Sequence, residues 1–173
     1  MNWRKGILLA LLVLPIIGLL AYGFGRDPME IPFVLKDKPA PAFRAQSLTG
    51  SEVDFAAFKG KPVILNFWST WCEPCKAEHE LLQQAAQFYG ERVVFLGVVY
   101  QDQAEAARKY LSRRTNVFTQ LMDPDSRVAM DFGVSGVPET YLVDPAGIVR
   151  GKHAGVMTGE LMRSWLDPLV GAQ

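Results

Sequence analysis

The chain has few of the residues that build metal sites, structural disulfides or nucleic-acid interfaces. Of 173 residues only two are cysteine and two are histidine, so no cysteine remains for a structural disulfide beside a working thiol pair. Lysine plus arginine and aspartate plus glutamate balance at 18 each, and no basic run is longer than Arg113-Arg114. This pattern argues against a nucleic-acid partner. A chain of this length can form one good core but not two ordinary domains.

Both cysteines lie in one motif, Trp71-Cys72-Glu73-Pro74-Cys75. The preceding run, 63–68, is short, apolar and rich in β-formers, which predicts a strand buried on both faces. Segment 73–89 lacks glycine, spaces its apolar residues helically and stops at a glycine, which predicts an amphipathic helix. Cys72 then lies at the helix N-terminus, where free amides and the helix dipole favour a thiolate. We predict a redox-active disulfide in which Cys72 attacks and Cys75 resolves.

Two other uses of the cysteines stay open at this point. A static disulfide would suit an exported protein, although a bridge that closes so short a loop constrains the unfolded chain little. A Cys2His2 zinc site would need His79, on the same helical face as Cys75, and His153 to converge on the pair. His153 lies far along the chain in a strand-like segment.

The N-terminus predicts a single transmembrane helix. Segment 7–24 has 18 residues without a charge and follows Arg4 and Lys5, which is close to the length that spans a bilayer. The positive charges predict that residues 1–6 form a cytoplasmic stub and that the rest lies outside, in the bacterial periplasm. A cleaved signal peptide with a site at 21–23 is the alternative, but the length of the apolar run favours a retained inner-membrane anchor.

The remaining chain predicts a proline-rich linker and one α/β domain. Segment 25–41 contains four prolines among charges and predicts a semi-stiff tether, so the domain is expected at 42–173. Alternating strand and helix patterns predict a mixed central sheet with helices on both faces. The predicted elements outside the cysteine region are a hairpin of 43–47 and 52–54, a short helix 55–59, a strand 93–99, a helix 104–114, a short helix 126–132 capped by Ser126, strands 136–143 and 148–153, and a final helix from Thr158 to near Pro168.

Several motifs together carry a resemblance to a known family. They are the cysteine motif after a buried strand, Ala77-Glu78-His79 one turn later, Gly136-Val137-Pro138-Glu139-Thr140 at the start of a later strand, and the N-terminal hairpin extension. This combination resembles the thioredoxin-fold proteins. More narrowly, it resembles the membrane-anchored periplasmic thiol:disulfide interchange proteins of cytochrome c maturation, the DsbE or CcmG type. The likeness runs from the anchor to the last helix.

The resemblance implies roles for residues around the pair. Pro138 would be a cis-proline that faces the cysteines, and the backbone of Val137 would pair with an extended substrate. Glu78 and Glu139 would tune the pKa of the resolving thiol and transfer its proton. Ordinary thioredoxins have a buried aspartate in the strand before the cysteines, where this chain has Asn66. The other implied substrate contacts belong to the cysteine motif: Trp71, Glu73 and Pro74.

The resemblance also implies a reductant without a bound cofactor. Its substrate would be the disulfide of apocytochrome c heme-attachment cysteines, or of the chaperone that presents them, and a transmembrane thiol-reductant protein would supply electrons. Acidic residues near the pair oppose the thiolate and so lower the reduction potential, which agrees with this direction. The alternatives are a general periplasmic disulfide oxidase or isomerase, and a copper-handling assembly protein that uses the cysteines with His79.

Overall fold

The computed structural model describes residues 3–24 and 33–171. The chain divides into two compact units, 1–32 and 33–173. The first unit contains helix α1 (Trp3–Phe24), which covers the predicted anchor. Among helices in the described ranges, none is long and apolar enough to cross a membrane. The transmembrane anchor therefore stays a prediction.

The second unit is built on a five-stranded mixed sheet with the order β5-β4-β3-β6-β7. Strands β3, β4 and β5 run parallel to one another, whereas β6 and β7 are each antiparallel to their neighbours. A separate antiparallel hairpin, β1-β2, precedes the sheet, as predicted. The strands are β1 (Arg44–Gln46), β2 (Glu52–Asp54), β3 (Val63–Trp68), β4 (Val94–Tyr100), β5 (Thr119–Asp123), β6 (Glu139–Val143) and β7 (Val149–Ala154). The helices are α2 (Glu73–Tyr89), α3 (Ala104–Leu111), α4 (Arg127–Phe132) and α5 (Gly159–Val170).

Strand β3 shows how the two faces of the sheet are covered. Side chains alternate along a strand, and Val63, Leu65 and Phe67 enter one core cluster with α4 and the hairpin region. Ile64 enters a second cluster, with α2 and α5. Trp68 packs in a third cluster with α3 and both cysteines. Helices therefore cover both faces, and the predicted thioredoxin-like α/β architecture is confirmed.

The domain begins earlier than predicted. Residues 33–41 were assigned to the linker, but Phe33 and Leu35 pack against the core. The Asp37 N–H donates to the Val149 carbonyl at 2.9 Å, and the Ala40 N–H donates to the Gly147 carbonyl at the same distance. A proline-rich pattern is compatible both with a free tether and with an extended segment that packs along the domain. The sequence alone does not distinguish the two, so it predicted a tether. The rest of the predicted linker, 25–32, lies outside the described residues.

Strand β5 and the start of α4 also differ from the prediction. The predicted elements include no strand between the helix 104–114 and the short helix 126–132, because polar Thr119 and Gln120 interrupt the apolar pattern. Ser126, the predicted cap, has φ of 57° and makes no capping bond. The Asp123 carboxylate accepts the N–H groups at the start of α4 instead, at 2.9 and 3.0 Å. The helix is thus capped from the end of β5.

Two helix ends differ by a few residues. Helix α3 ends at Leu111 instead of 114. Helix α5 ends at Val170, two residues beyond Pro168. At its other end the predicted Thr158 cap is confirmed, because the Thr158 hydroxyl accepts a hydrogen bond from the Leu161 N–H at 3.2 Å.

Candidate active site

The two cysteines are joined at the junction of β3 and α2. Their sulfurs form a disulfide, with 2.02 Å between them. Cys72 is the N-cap of α2, and its Sγ accepts a hydrogen bond from the Cys75 N–H at 3.1 Å. Both residues are 4% exposed. A helix-terminal amide therefore points at the sulfur that was predicted to attack, which favours negative charge on it.

The histidines do not join this pair. An imidazole nitrogen of His79 lies 2.8 Å from the Thr115 carbonyl oxygen, and one of His153 lies 3.1 Å from that of Val156. Within residues 3–24 and 33–171, no group of three or more histidine, cysteine or acidic side chains is arranged to hold a metal ion. No observation thus favours the zinc site or the copper-handling alternative.

The loop before β6 meets the cysteines. The Val137-Pro138 peptide bond is cis, the geometry that the resemblance implies. The Val137 side chain packs against the cluster that contains Cys72 and Cys75. Its backbone N–H and C=O have no hydrogen-bond partner among the described residues. This edge can therefore pair with an extended chain beside Cys72.

Trp71 forms the exposed wall of the site. It is 57% exposed, and its indole N–H donates to the Gln101 carbonyl at 3.1 Å. Glu73 and Pro74, the other predicted contacts, are also exposed, at the first turn of α2. An incoming disulfide would thus meet an aromatic face and a helix N-terminus.

Glu78 is a buried acid one turn along α2 from Cys75. It is 1% exposed. Its carboxylate accepts hydrogen bonds from Asn66 Nδ2 at 2.8 Å and from the Met157 N–H at 2.7 Å. Burial raises the pKa of Glu78, and these two hydrogen bonds offset the effect only in part. Asn66, at the position of the thioredoxin aspartate, also donates to the Thr140 hydroxyl at 3.0 Å. The buried acid thus lies on helix α2 and not on strand β3.

Glu139 is equally buried but is fully engaged. Its carboxylate accepts from the Ser135 N–H at 3.0 Å, from the Ser135 hydroxyl and from the Tyr141 hydroxyl at 3.0 Å. It also forms an ion pair with Lys152 at 3.1 Å, in which the side chains are 1% and 9% exposed. Burial and the Glu139 charge raise the pKa of Tyr141, so that hydroxyl stays protonated and donates. The Tyr141 hydroxyl has a single proton, which also faces the Phe132 carbonyl at 2.9 Å. Ser135, Tyr141 and the Lys152 ammonium thus surround the Glu139 carboxylate, which holds the loop before the cis-proline through Ser135.

The three glutamates of the predicted acidic setting therefore differ. Glu73 is exposed and paired with Lys76, and a pair in water affects its surroundings little. Glu139 is paired with Lys152. In the described part of the chain, Glu78 has no cationic partner. Of these three glutamates, Glu78 is therefore the one that is both buried and without an ion pair to any described residue.

Sequence reasoning missed two residues of this region. Asp102 accepts hydrogen bonds from Thr70, in the turn before Cys72. The sequence did contain a signal for this contact, because Asp102 follows the strand parallel to β3, and polar residues that follow neighbouring parallel strands meet at the same edge of the sheet. Lys152 lies opposite Tyr141 in β7, one diagonal step from Glu139. Only the strand register reveals that contact, so the sequence offered no signal for it.

Comparison with known proteins identifies the family. Residues 37–152 match the AhpC/TSA family. A thiol:disulfide interchange protein DsbE from Pseudomonas aeruginosa is 38% identical over 170 residues, which cover 96% of this chain and 93% of that protein. DsbE from Escherichia coli is 39% identical over 149 residues, with 84% and 79% covered.

Solved structures agree with these relatives. MTB DsbF, in mixed oxidised and reduced forms, superposes with a TM-score of 0.69 at 31% identity and covers 80% of this chain and 98% of its own. A thiol:disulfide interchange protein of the thioredoxin family from Chlorobium tepidum gives a TM-score of 0.70 at 25% identity, with 79% and 98% covered. With its Cys72-Cys75 disulfide at the start of α2, the chain belongs to the thioredoxin-like AhpC/TSA family and, within it, to the DsbE thiol:disulfide interchange proteins.

Proposed function

We propose that this thiol:disulfide oxidoreductase works as a periplasmic reductant. Its client is the disulfide of apocytochrome c heme-attachment cysteines, or of the chaperone that presents them. The 7–24 segment anchors it in the inner membrane as a single span, with 1–6 in the cytoplasm and the catalytic domain in the periplasm. A transmembrane thiol-reductant protein returns electrons to Cys72 and Cys75. The observation that carries the proposed direction is the buried carboxylate of Glu78 one turn from Cys75, which forms no ion pair with the residues that the structure describes.

The first step forms a mixed disulfide. The Cys72 thiolate attacks one sulfur of a substrate disulfide held along the Val137-Pro138 edge. The substrate S–S bond breaks, a Cys72–substrate S–S bond forms, and the other substrate sulfur leaves as a thiolate that takes a proton from water. The Cys75 N–H, 3.1 Å from Cys72 Sγ in the disulfide form, stabilises negative charge on that sulfur.

The second step releases the reduced substrate. The Cys75 thiol loses its proton to the ionised Glu78, and its sulfur then attacks Cys72 Sγ. The mixed disulfide breaks, the Cys72-Cys75 bond forms, and the second substrate thiolate leaves and is protonated. Two electrons pass from the protein dithiol to the substrate. Each Glu78 oxygen accepts one hydrogen bond, which leaves acceptor capacity for the proton.

Glu78 also favours donation of electrons. A thiolate near an uncompensated carboxylate is raised in energy, which destabilises the dithiol form and lowers the reduction potential. We expect a potential nearer to that of thioredoxin, about −270 mV, than to that of a strong periplasmic oxidant, about −120 mV. Equilibration with a glutathione or dithiothreitol buffer measures it. A potential near the oxidant value would overturn the proposed direction.

The client is tested by trapping. Cys75→Ser removes the resolving thiol, so the reaction should stop at the Cys72 mixed disulfide. Mass spectrometry of the captured partner, with Cys72→Ser as the control that captures nothing, identifies the client. Recovery of unrelated secreted proteins alone would contradict the cytochrome proposal.

One observation supports the general oxidase alternative. The Cys75 N–H directed at Cys72 Sγ favours the thiolate and therefore raises the potential, against the effect of Glu78. The same potential measurement separates the two functions. An oxidase would also refold a reduced secreted protein with several disulfides, whereas a dedicated reductant would not.

A further inference from the structure

The chain reaches Cys72 through a tight turn that starts at Ser69. The Cys72 N–H donates to the Ser69 carbonyl at 3.3 Å, so Thr70 and Trp71 are the central residues of the turn. Their conformation fixes where the attacking sulfur and the exposed indole lie relative to each other. Whatever holds this turn therefore shapes the surface that a substrate meets.

Asp102, in the loop after β4, binds the first central residue. Its Oδ2 accepts both the N–H and the hydroxyl of Thr70, each at 2.6 Å. Its Oδ1 accepts the Gln103 N–H at 2.7 Å, which ties the same carboxylate to the residue before α3. Because β3 and β4 are parallel neighbours, the loops at their carboxyl ends meet at one edge. No part of the exchange mechanism uses this carboxylate.

The same loop binds the second central residue. Gln101 has φ of 46°, in the left-handed region that residues other than glycine adopt rarely. In this conformation its carbonyl accepts the Trp71 indole N–H at 3.1 Å. The Ser69 hydroxyl donates to the carbonyl of Tyr100, immediately before it. Asp102, next to Gln101, anchors the loop in the arrangement that orients the indole.

We infer that Asp102 is a positioning residue that holds Trp71 and Cys72 as one surface for extended polypeptide disulfides. It acts through Thr70 and does not touch sulfur. Polypeptide substrates need the indole and the sulfur aligned, whereas a small disulfide needs only the sulfur. The inference rests on the thiol:disulfide exchange of the family and is independent of which client or electron direction is proposed above.

The test compares two substrates in Asp102 variants of the full chain. One is a synthetic peptide closed by a Cys-x-x-Cys disulfide, and the other is hydroxyethyl disulfide. Asp102→Ala removes every contact of the Asp102 carboxylate, so Trp71 and Cys72 no longer hold the peptide in one alignment, and its rate with the peptide should fall about tenfold. Its rate with hydroxyethyl disulfide should stay within about twofold, because alignment with the indole is then irrelevant.

Asp102→Asn separates position from charge. The asparagine oxygen can still accept both Thr70 donors, whereas its amide nitrogen cannot accept the Gln103 N–H. Because the inferred role acts through Thr70, this variant should keep most of the wild-type peptide rate. Asp125→Ala, in the exposed loop after the neighbouring strand β5, is the matched control and should change neither rate.

Three results would overturn the inference. Equal losses in Asp102→Asn and Asp102→Ala would show that charge, not position, matters. Equal losses with both substrates would show a general effect on the dithiol. Wild-type peptide rates in folded Asp102→Ala would show no role at all. If Asp102→Ala does not fold, Thr70→Val removes one of the two bonds, and the same contrast between peptide and small disulfide decides the outcome.

Discussion

Replacing Glu78 with glutamine removes one buried titratable group and little else. Glutamine can still accept the Met157 N–H through its oxygen, at the position where Glu78 accepts it at 2.7 Å. Its amide nitrogen then faces Asn66, whose own amide can rotate so that its oxygen accepts. The Thr140 hydroxyl, which accepts from Asn66, would donate instead. Each of these three hydrogen bonds then keeps one donor and one acceptor, so Glu78→Gln isolates the effect of ionisation.

The sign of the pH effect follows from the pKa of Glu78. Burial raises it above the ordinary value of 4.5, whereas the unfolded chain titrates near that value. Between the two pKa values, the folded protein keeps a proton that the unfolded chain has lost. Stability is therefore complete below the unfolded pKa and falls as pH rises through the folded one. For a single proton, the slope of the unfolding free energy reaches at most about 1.4 kcal/mol per pH unit.

Urea unfolding of the disulfide form across roughly pH 4 to 8 measures this effect, since neither cysteine titrates in that form. The wild-type free energy of unfolding minus that of Glu78→Gln should fall as pH rises through the window. Glu80→Gln is the matched control, because Glu80 lies on the same helix but is exposed; its curve should run parallel to the wild type. A difference that is flat, or that rises with pH, would refute the reasoning about burial.

The same variant tests the proton transfer. With Glu78→Gln, formation of the mixed disulfide should change little, whereas its resolution by Cys75 should slow by about a hundredfold or more, the lower range of general acid–base catalysis. Rapid-quench measurement of the mixed disulfide separates the two steps. Equal slowing of both steps would contradict the assignment of Glu78 to Cys75.

Three other variants test the surroundings. Lys152→Met leaves Glu139 buried without its cation and should cost about 3 kcal/mol or more in urea unfolding; adding Glu139→Gln should recover part of this loss, and no recovery would contradict the ion pair. Gly97→Ala should cost about 1–3 kcal/mol, because a Cβ there would lie 2.0 Å from Gln120 Oε1. Gly136→Ala, where a Cβ meets nothing within 4 Å, is its stability control. Glu139→Gln should slow resolution less than Glu78→Gln does, since Ser135, Tyr141 and Lys152 already surround the Glu139 carboxylate; the reverse order would indicate that Glu139 is the proton acceptor.

Local sequence patterns correctly predicted the elements at the centre of the site. Strand β3 and helix α2 have the predicted bounds, 63–68 and 73–89. Their signals are local: an uninterrupted apolar run, helical spacing, a proline in the first turn and a glycine at the end. These features place Cys72 at a helix N-terminus whatever the rest of the chain does. Strand β5 was missed because its burial depends on a neighbour, β4, and not on its own apolar pattern.

What the sequence determined by itself is the chemistry: two thiols, three residues apart at the start of a helix, with no other cysteine to compete. Only the tertiary structure distinguished the three acids. Glu73, Glu78 and Glu139 are the same residue type in the sequence, but strand register brings Lys152 to Glu139, and packing buries Glu78 without an ion pair to any described residue. The reason is that the energy of a charge depends on its solvent and its partners, and contacts between distant segments set both.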